Sequence, residues 1–243
     1  MKAMLLAAGF GTRLKPFTDN YPKALAEVNG KTLLQRNIEY LQQFNIYDVI
    51  VNVHHFAEQI IDYIKKNNGW GSNVFVSDET DAILETGGGL KRASWYLKSE
   101  ENFVLMNVDV LTNLRLSKMI LFHEVNTPIA TLATTNRETS RYFLFNEENI
   151  LCGWKNVKTG ETKPSPLPFP ARGGLGLRAF SGIHIINNKI FDLMKLNEIK
   201  FSMVDLYLSL CSKHRILSFD HSQTKFIDVG KPESLDIAQA LFK

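Results

Sequence analysis

The stretch Leu5-Leu6-Ala7-Ala8-Gly9-Phe10-Gly11-Thr12-Arg13-Leu14-Lys15-Pro16-Phe17-Thr18, with Lys23 a few residues on, decides how this chain is read. It grows out of a short apolar run, Ala3 to Ala7, of the kind that forms a buried first strand. Gly9 and Gly11 then free the backbone for positive φ or for close approach of a ligand. Arg13, Lys15 and Lys23 place positive charge beside that exposed backbone. Successive N–H groups together with a guanidinium and an ammonium suit a polyanion, most simply a triphosphate.

Two familiar nucleotide loops do not fit. A dinucleotide fingerprint requires a third glycine three places after Gly11, where Leu14 stands. Gly30-Lys31-Thr32 looks like the tail of a P-loop, but the first glycine of that motif falls at Leu25. The Gly9–Arg13 loop is therefore a third kind of phosphate cradle. With Gly9, Gly11, Thr12, Arg13, Pro16, Pro22 and Lys23 in place, the sequence resembles the sugar-1-phosphate nucleotidyltransferases. Their signature is G-x-G-T-R, a nearby proline, and a lysine further on.

Composition agrees with a small-molecule enzyme. At 243 residues the chain is long enough for one α/β domain with a sizeable core, and a single catalytic domain over 1–243 is expected. Apolar residues make up 44% and charged residues 22%, the balance of a globular protein in water. A net charge of only +3, without a basic block, argues against a nucleic-acid partner and assigns the cations to a phosphorylated small molecule. Cys152 and Cys211 lack a Cys-x-x-Cys spacing, so neither a disulfide framework nor structural zinc is expected, and a cytoplasmic location fits. No apolar run approaches the ~20 residues of a membrane span, and no signal peptide or anchor is visible.

The first half alternates strand and helix. Thr32 is placed to cap a helix over Leu33 to Phe44; Tyr47 to Val53 reads as a strand and Phe56 to Lys66 as a helix. Val74 to Val76 and Phe103 to Met106 follow as strands, Gly88 to Leu97 and Leu116 to His123 as helices, and Ile129 to Thr134 as a strand. This predicts a Rossmann-like, mixed but mostly parallel sheet flanked by helices, with the ligand along the C-terminal edge of the strands. In the second half, Phe143 to Phe145 and Ile150 to Trp154 flank a hairpin signal, and Lys158 to Gly176, rich in proline and glycine, reads as a mobile loop over the acceptor. Phe180 to Ile186 returns as a strand, Ile190 to Lys195 and Met203 to Ser212 as helices, and Pro232 starts a last helix through Leu241. Many proteins that this chain resembles carry a C-terminal β-helix, which is not expected here.

Asp109 follows the apolar run Phe103–Met106, at the strand end where ligands sit in such sheets. Asp228, in Phe226-Ile227-Asp228-Val229-Gly230, has a similar setting before a glycine turn. Hard divalent cations take oxygen ligands, so two carboxylates facing a triphosphate suit Mg²⁺. The resemblance likewise implies that Asp109 and Asp228 hold the metal, and that Ala8, Gly9, Gly11, Thr12, Arg13 and Lys23 bind the nucleotide, with Arg13 and Lys23 catalytic. Leu84-Glu85-Thr86-Gly87-Gly88-Gly89 corresponds to a Leu-Gly-Thr-x-Gly segment lining the base pocket, which nominates Glu85, Thr86 and Gly87. Glu85 replaces the first glycine of that segment, a departure shared by N-acetylmuramate-1-phosphate uridylyltransferases. Phe180, Ser181 and Gly182 match the segment beneath the sugar. His54 and His55 point to opposite faces of a strand end and are read as structural. The Glu-Lys-Pro segment, whose lysine meets the sugar phosphate in the family, has no counterpart; Arg172 and Lys155 are the substitutes considered.

The expected reaction is Mg²⁺-dependent transfer of a nucleotidyl group from a nucleoside triphosphate to a sugar 1-phosphate. The narrowest reading is UDP-N-acetylmuramate from UTP, in peptidoglycan recycling. A mannose- or heptose-1-phosphate guanylyltransferase is the alternative. A nucleotide-sugar sensor without turnover is the alternative of another class, which the presence of Lys23, Asp109 and Asp228 disfavours. The oligomeric state is open.

Overall fold

The protein is described by a computed structural model covering residues 1–164, 176–195 and 197–243. Its frame is set by four neighbouring strands, β1 (Lys2–Leu6), β4 (Asp48–Val53), β5 (Asn73–Asp78) and β6 (Asn102–Asn107). Two short strands, β2 (Glu27–Val28) and β3 (Lys31–Thr32), form a separate hairpin between β1 and β4. The four frame strands run parallel in the order β6-β1-β4-β5. Ala3 lies level with Val49 and Val104, and Met4 with Ile50 and Leu105. Because side chains alternate along a strand, Ala3, Leu5, Val49, Val51, Val104 and Met106 feed one core, while Met4, Ile50, Phe103 and Leu105 feed another on the opposite face. Both faces are thus buried, which is why these segments read as near-continuous apolar runs.

Helices cover both faces. α1 (Leu33–Gln42) begins where the Thr32 hydroxyl accepts the Gln35 N–H, as the sequence anticipates. α2 (Ala57–Lys66) turns Ile60 and Ile64 inward onto the same core as Ile38 and Leu41 of α1. α3 (Glu85–Arg92) and α4 (Ser94–Leu97), separated by Ala93, pack Leu90 and Leu97 on the other face. The expected single helix from Gly88 is therefore two, and it starts three residues earlier, with the glycines inside its first turns.

The rest of the sheet is joined by antiparallel pairs, apart from one parallel pair at its edge. β7 (Val110–Thr112) leaves the sheet, α5 (Leu116–Asn126) returns, and β8 (Ala130–Thr135) follows. β9 (Arg141–Phe145), β10 (Leu151–Asn156) and β11 (Thr162–Pro164) form a meander, joined to the frame by the long strand β12 (Gly176–Asn187). β12 pairs antiparallel with β6 and with β8. After α6 (Ile190–Leu193) and α7 (Met203–Leu210), β13 (Ile216–Asp220) pairs parallel with β8. β14 (Phe226–Asp228) pairs with β7, and α8 (Pro232–Leu241) closes the described chain with Pro232 in its first turn. The mixed sheet with a parallel centre and flanking helices is the architecture expected. Of the segment read as a mobile loop, residues 165–175 lie outside the described residues, and Arg172 with them; the part before it forms β11. Among the described residues no helix is long and apolar enough to cross a membrane.

Candidate active site

A cavity of about 400 Å³ opens at the C-terminal edge of β1, β4, β5 and β6. Its lining begins with Leu6 and continues through Ala7, Ala8, Gly9, Phe10, Gly11, Thr12 and Arg13, then Lys23. Gly11 sits at φ +62, starting the short turn Thr12–Leu14, and a Cβ there would lie 2.9 Å from the Thr18 methyl and 3.1 Å from Lys23 Cβ. Its carbonyl accepts the Leu14 N–H and the Thr18 hydroxyl, which fixes the loop. A Cβ at Gly9 would meet nothing within 4 Å, so that backbone faces open space, as a ligand-binding loop requires. Lys15, counted among the loop's cations, instead pairs with Asp19 at 2.8 Å and does not line the cavity. An i,i+4 pair on an exposed turn takes its charge away from the site.

Asp109 lies on the same rim, and Asp228 stands beside it without lining the cavity. Lys23 Nζ pairs with Asp109, both side chains being largely shielded from solvent. The Val229 N–H donates to the Asp109 carbonyl at 2.8 Å, so the β7–β14 pair brings Asp228 beside Asp109. Leu14, Leu111, Ile227, Val229 and Ala238 form a small core under this junction and tie the phosphate loop to it. Gly230 makes the last approach possible: a Cβ there would lie 2.7 Å from Asp228 Oδ1 and 2.9 Å from Arg13 Nη2. Burial, and then the neighbouring charge of Asp109, raise the Asp228 carboxyl above the ordinary aspartate range, against the pull of Lys23 and Arg13. Asp228 Oδ1 is buried and has no hydrogen-bond partner among the described residues. Two adjacent carboxylates, one with an orphaned oxygen, fit a hard divalent cation that completes its shell with phosphate oxygens.

The far wall was not legible in the sequence. The Ala7 N–H donates to Asn52 Oδ1 at 2.7 Å, and Asn52 Nδ2 donates to Glu79 Oε1 at 2.8 Å. Glu79 is 1% exposed yet lines the cavity, and burial raises its carboxyl. One cue existed: Asn52 and Glu79 lie at the ends of neighbouring parallel strands, facing one edge. His54 lines the cavity too, edge-on to Phe10 at 5.5 Å between ring centroids, with a buried Nδ1 that has no partner among the described residues. His55 packs on Phe10 and Phe56 outside the lining.

Of the base-pocket residues, Glu85 and Thr86 line the cavity and Gly87 does not. Glu85 holds φ +62, a left-handed conformation that a glycine takes more easily, and its carboxylate faces Lys200 Nζ at 4.0 Å. The glycines serve a different neighbour than expected. The N–H groups of Gly87 and Gly88 both donate to the Phe201 carbonyl, at 2.9 and 3.2 Å. A Cβ on Gly88 would lie 2.2 Å from the Ile199 carbonyl oxygen, and one on Gly89 2.6 Å from Glu79 Oε1. Gly87 and Gly88 thus receive the segment before α7, and Gly89 leaves room for Glu79.

Phe180, Ser181 and Gly182, expected beneath the sugar, lie outside the cavity lining. Ser181 is 1% exposed, and its hydroxyl is bonded to His221 Nε2 at 2.8 Å, so its side chain is part of the scaffold. Gly182, at φ +72, packs against Asn107, which lines the cavity. Phe180 packs on Phe143 and His184. Lys155 is exposed on β10 and does not line the cavity.

A glycine-rich loop at the end of a parallel strand, with two aspartates close by, defines an α/β protein whose cavity opens at the C-terminal edge of its parallel strands. The chain belongs to the nucleotidyl transferase family, whose model matches residues 2–242. It is similar to a mannose-1-phosphate guanyltransferase of Yarrowia lipolytica, 30% identical over 236 residues covering 96% of this chain and 61% of that protein. It is 40% identical over 109 residues, 44% of this chain and 45% of the other, to an N-acetylmuramate alpha-1-phosphate uridylyltransferase of Caulobacter vibrioides. The chain thus spans less than two thirds of the guanyltransferase it matches. Among solved structures it resembles HddC from Yersinia pseudotuberculosis complexed with GMP-PN, with a TM-score of 0.77, 26% identity, and coverage of 100% of this chain and 99% of that one.

Proposed function

We propose that the chain transfers a nucleotidyl group from a nucleoside triphosphate to a sugar 1-phosphate. The observation that carries this reading is the meeting of Arg13, Lys23 and Asp109 on the rim of one cavity, with Asp228 beside Asp109 just behind that rim. An oxygen of the sugar phosphate attacks the α-phosphorus, a new P–O bond forms, and the bond from that phosphorus to the bridging oxygen breaks. Pyrophosphate leaves with the bond's electron pair. Such a reaction needs positioning and charge neutralisation more than covalent help. The loop N–H groups and Arg13 hold the phosphates, and Lys23 exchanges its partner Asp109 for the α-phosphate. Asp109 and Asp228 would hold Mg²⁺, which when bound neutralises phosphate charge and the leaving pyrophosphate.

The narrow form of the proposal is UTP with N-acetylmuramate 1-phosphate, giving UDP-N-acetylmuramate in a cytoplasmic peptidoglycan-recycling role. Glu85 in place of the usual glycine and the likeness to the Caulobacter uridylyltransferase support it. A second form, guanylyl transfer to a mannose- or heptose-type 1-phosphate, is favoured by the longer matches and by Glu79. A carboxylate on the cavity wall can accept from both N1–H and N2–H of guanine, whereas uracil offers one N–H. Pyrophosphate release with Mg²⁺, over UTP, GTP, dTTP and CTP against muramate-, glucosamine-, glucose-, mannose- and heptose-type 1-phosphates, decides. One strong response at UTP with N-acetylmuramate 1-phosphate is expected. A strong response elsewhere replaces the substrate pair, and nucleotide binding without any release replaces the enzyme by a sensor.

A further inference from the structure

The cation that meets the acceptor's phosphate is missing from the sequence motif, and the fold supplies one from an unexpected place. Arg137 lies two residues beyond the end of β8. Its Nη2 donates to the Phe180 carbonyl at 2.9 Å, so it is fixed to the strand expected beneath the sugar. Its guanidinium carbon stands 5.2 Å from the centre of the Phe226 ring. Phe226 and Asp228 are two residues apart in β14, and side chains at that spacing share one side of a strand. The guanidinium over Phe226 is therefore on the side that carries the Asp228 carboxylate. Asp228 is also the charge that most opposes the effect of burial on Arg137. His221, bonded to Ser181 and Thr224, is close enough to feel the same cation.

Arg137 is underused where it stands. Among the described residues its buried Nε has no partner, and its single hydrogen bond is the one to Phe180. It makes no ion pair with a described carboxylate, unlike Arg92 and Arg178, which pair with Asp81 and Asp220. A half-buried guanidinium with one neutral acceptor is poorly compensated. A purely structural strut between β12 and β14 needs the carbonyl bond and the ring contact. It does not need the remaining donors, which form a planar fork suited to two phosphate oxygens.

We propose that Arg137 is the residue that holds the phosphate of the sugar 1-phosphate, between Phe180 and Asp228. This rests on the transferase reading for the identity of the acceptor, but its test does not rest on turnover. The site binds the attacking phosphate beside the metal aspartate and neutralises it without contacting the nucleotide. It takes over the role for which Lys155 and Arg172 were considered.

The test is calorimetric binding of the five sugar 1-phosphates named above, with a non-hydrolysable UTP or GTP analogue present, to the native protein and to Arg137→Ala and Arg137→Lys. The alanine variant should weaken the bound sugar phosphate at least tenfold, leave the affinity for the analogue within twofold, and be partly rescued by lysine. Arg137→Gln, which keeps a donor for the Phe180 carbonyl, replaces the alanine variant if that one fails to fold. Unchanged sugar-phosphate affinity, equal loss of both ligands, or a native protein that binds none of the five overturns the assignment. The transferase reading fails separately, when the native protein binds both ligands and releases no pyrophosphate. An Arg137-dependent affinity in that case leaves the assignment standing as a binding site.

Discussion

Lys23 and Asp109 form an ion pair across the mouth of the cavity, with 13% and 14% of their side chains exposed. Each therefore holds the other's charge in place until a phosphate competes for the ammonium. Lys23→Ala should lower turnover by about 10²–10³-fold, the usual cost of removing one group aimed at developing charge. The circular dichroism spectrum should stay that of the native protein, because the pair sits at a rim and not in a core. Turnover within threefold of native would remove Lys23 from the chemistry.

Glu85 is strained in a way that links stability to ligand affinity. Glu85→Gly relieves a left-handed conformation worth roughly 1–2 kcal/mol and gives back part of that through the freer unfolded chain. A net gain of about 0.5–1 kcal/mol should raise the melting temperature by about 2 °C. The Lys200 contact it removes is long and exposed and contributes little. If Glu85 reads the ribose or base, the KM for the nucleotide rises in the same variant. Higher stability with unchanged KM would make the residue a passive occupant of the turn.

Gly87→Ala makes the reverse prediction. The added methyl would stand 2.4 Å from the Phe201 ring and 2.9 Å from its carbonyl oxygen, so the segment before α7 must move. Overpacking of this kind costs about 1–3 kcal/mol. Urea unfolding should show that loss, with the KM for nucleotide rising less than for Glu85→Gly. An alanine variant as stable as the native protein would contradict the packing described.

Acid should destabilise the protein before its ordinary carboxylates titrate. Burial lowers His123 and His221 to about 4 and His184 to about 3. The unfolded chain takes up these protons near pH 6.5 and the folded chain does not, so stability is full above that pH and falls as pH drops towards 4. Three such groups give a limiting slope of about 4 kcal/mol per pH unit. Glu79 and Asp228, whose folded forms bind protons more readily than the unfolded chain, act in the opposite sense. Urea midpoints at pH 7 and pH 5 measure the balance, and equal midpoints would show that the histidines are not excluded from water.

What the sequence disclosed was local. The run Ala3–Ala7, the Thr32 cap and Pro232 act on their own neighbourhoods, and each stands where it was expected. Gly9, Gly11, Arg13 and Lys23 are likewise close in the chain, and the turn at Gly11 gathers them. The closeness of Asp109 and Asp228 came through the family resemblance, because it depends on a strand pair between distant segments. Glu79 was passed over for the same reason: its meaning lies in Asn52, on another strand. The triglycine marks a close approach without saying what approaches, and among the described residues Phe201 does. Arg137 has no motif around it and is conspicuous only once Phe226 and Phe180 are in position.

The pairing of β7 with β14 also has a bearing on how the protein is made. The phosphate loop, Lys23 and Asp109 leave the ribosome early, while Asp228 and the strand that seats it emerge near the end of this stretch of chain. A nascent chain that stops short of Phe226 therefore has the Gly9–Arg13 loop and Asp109 without Asp228, and without the hydrogen bond from Val229 that fastens the two halves. On the function proposed above, metal-assisted chemistry would wait for that late strand to dock, so a stalled or clipped translation product would consume no nucleotide.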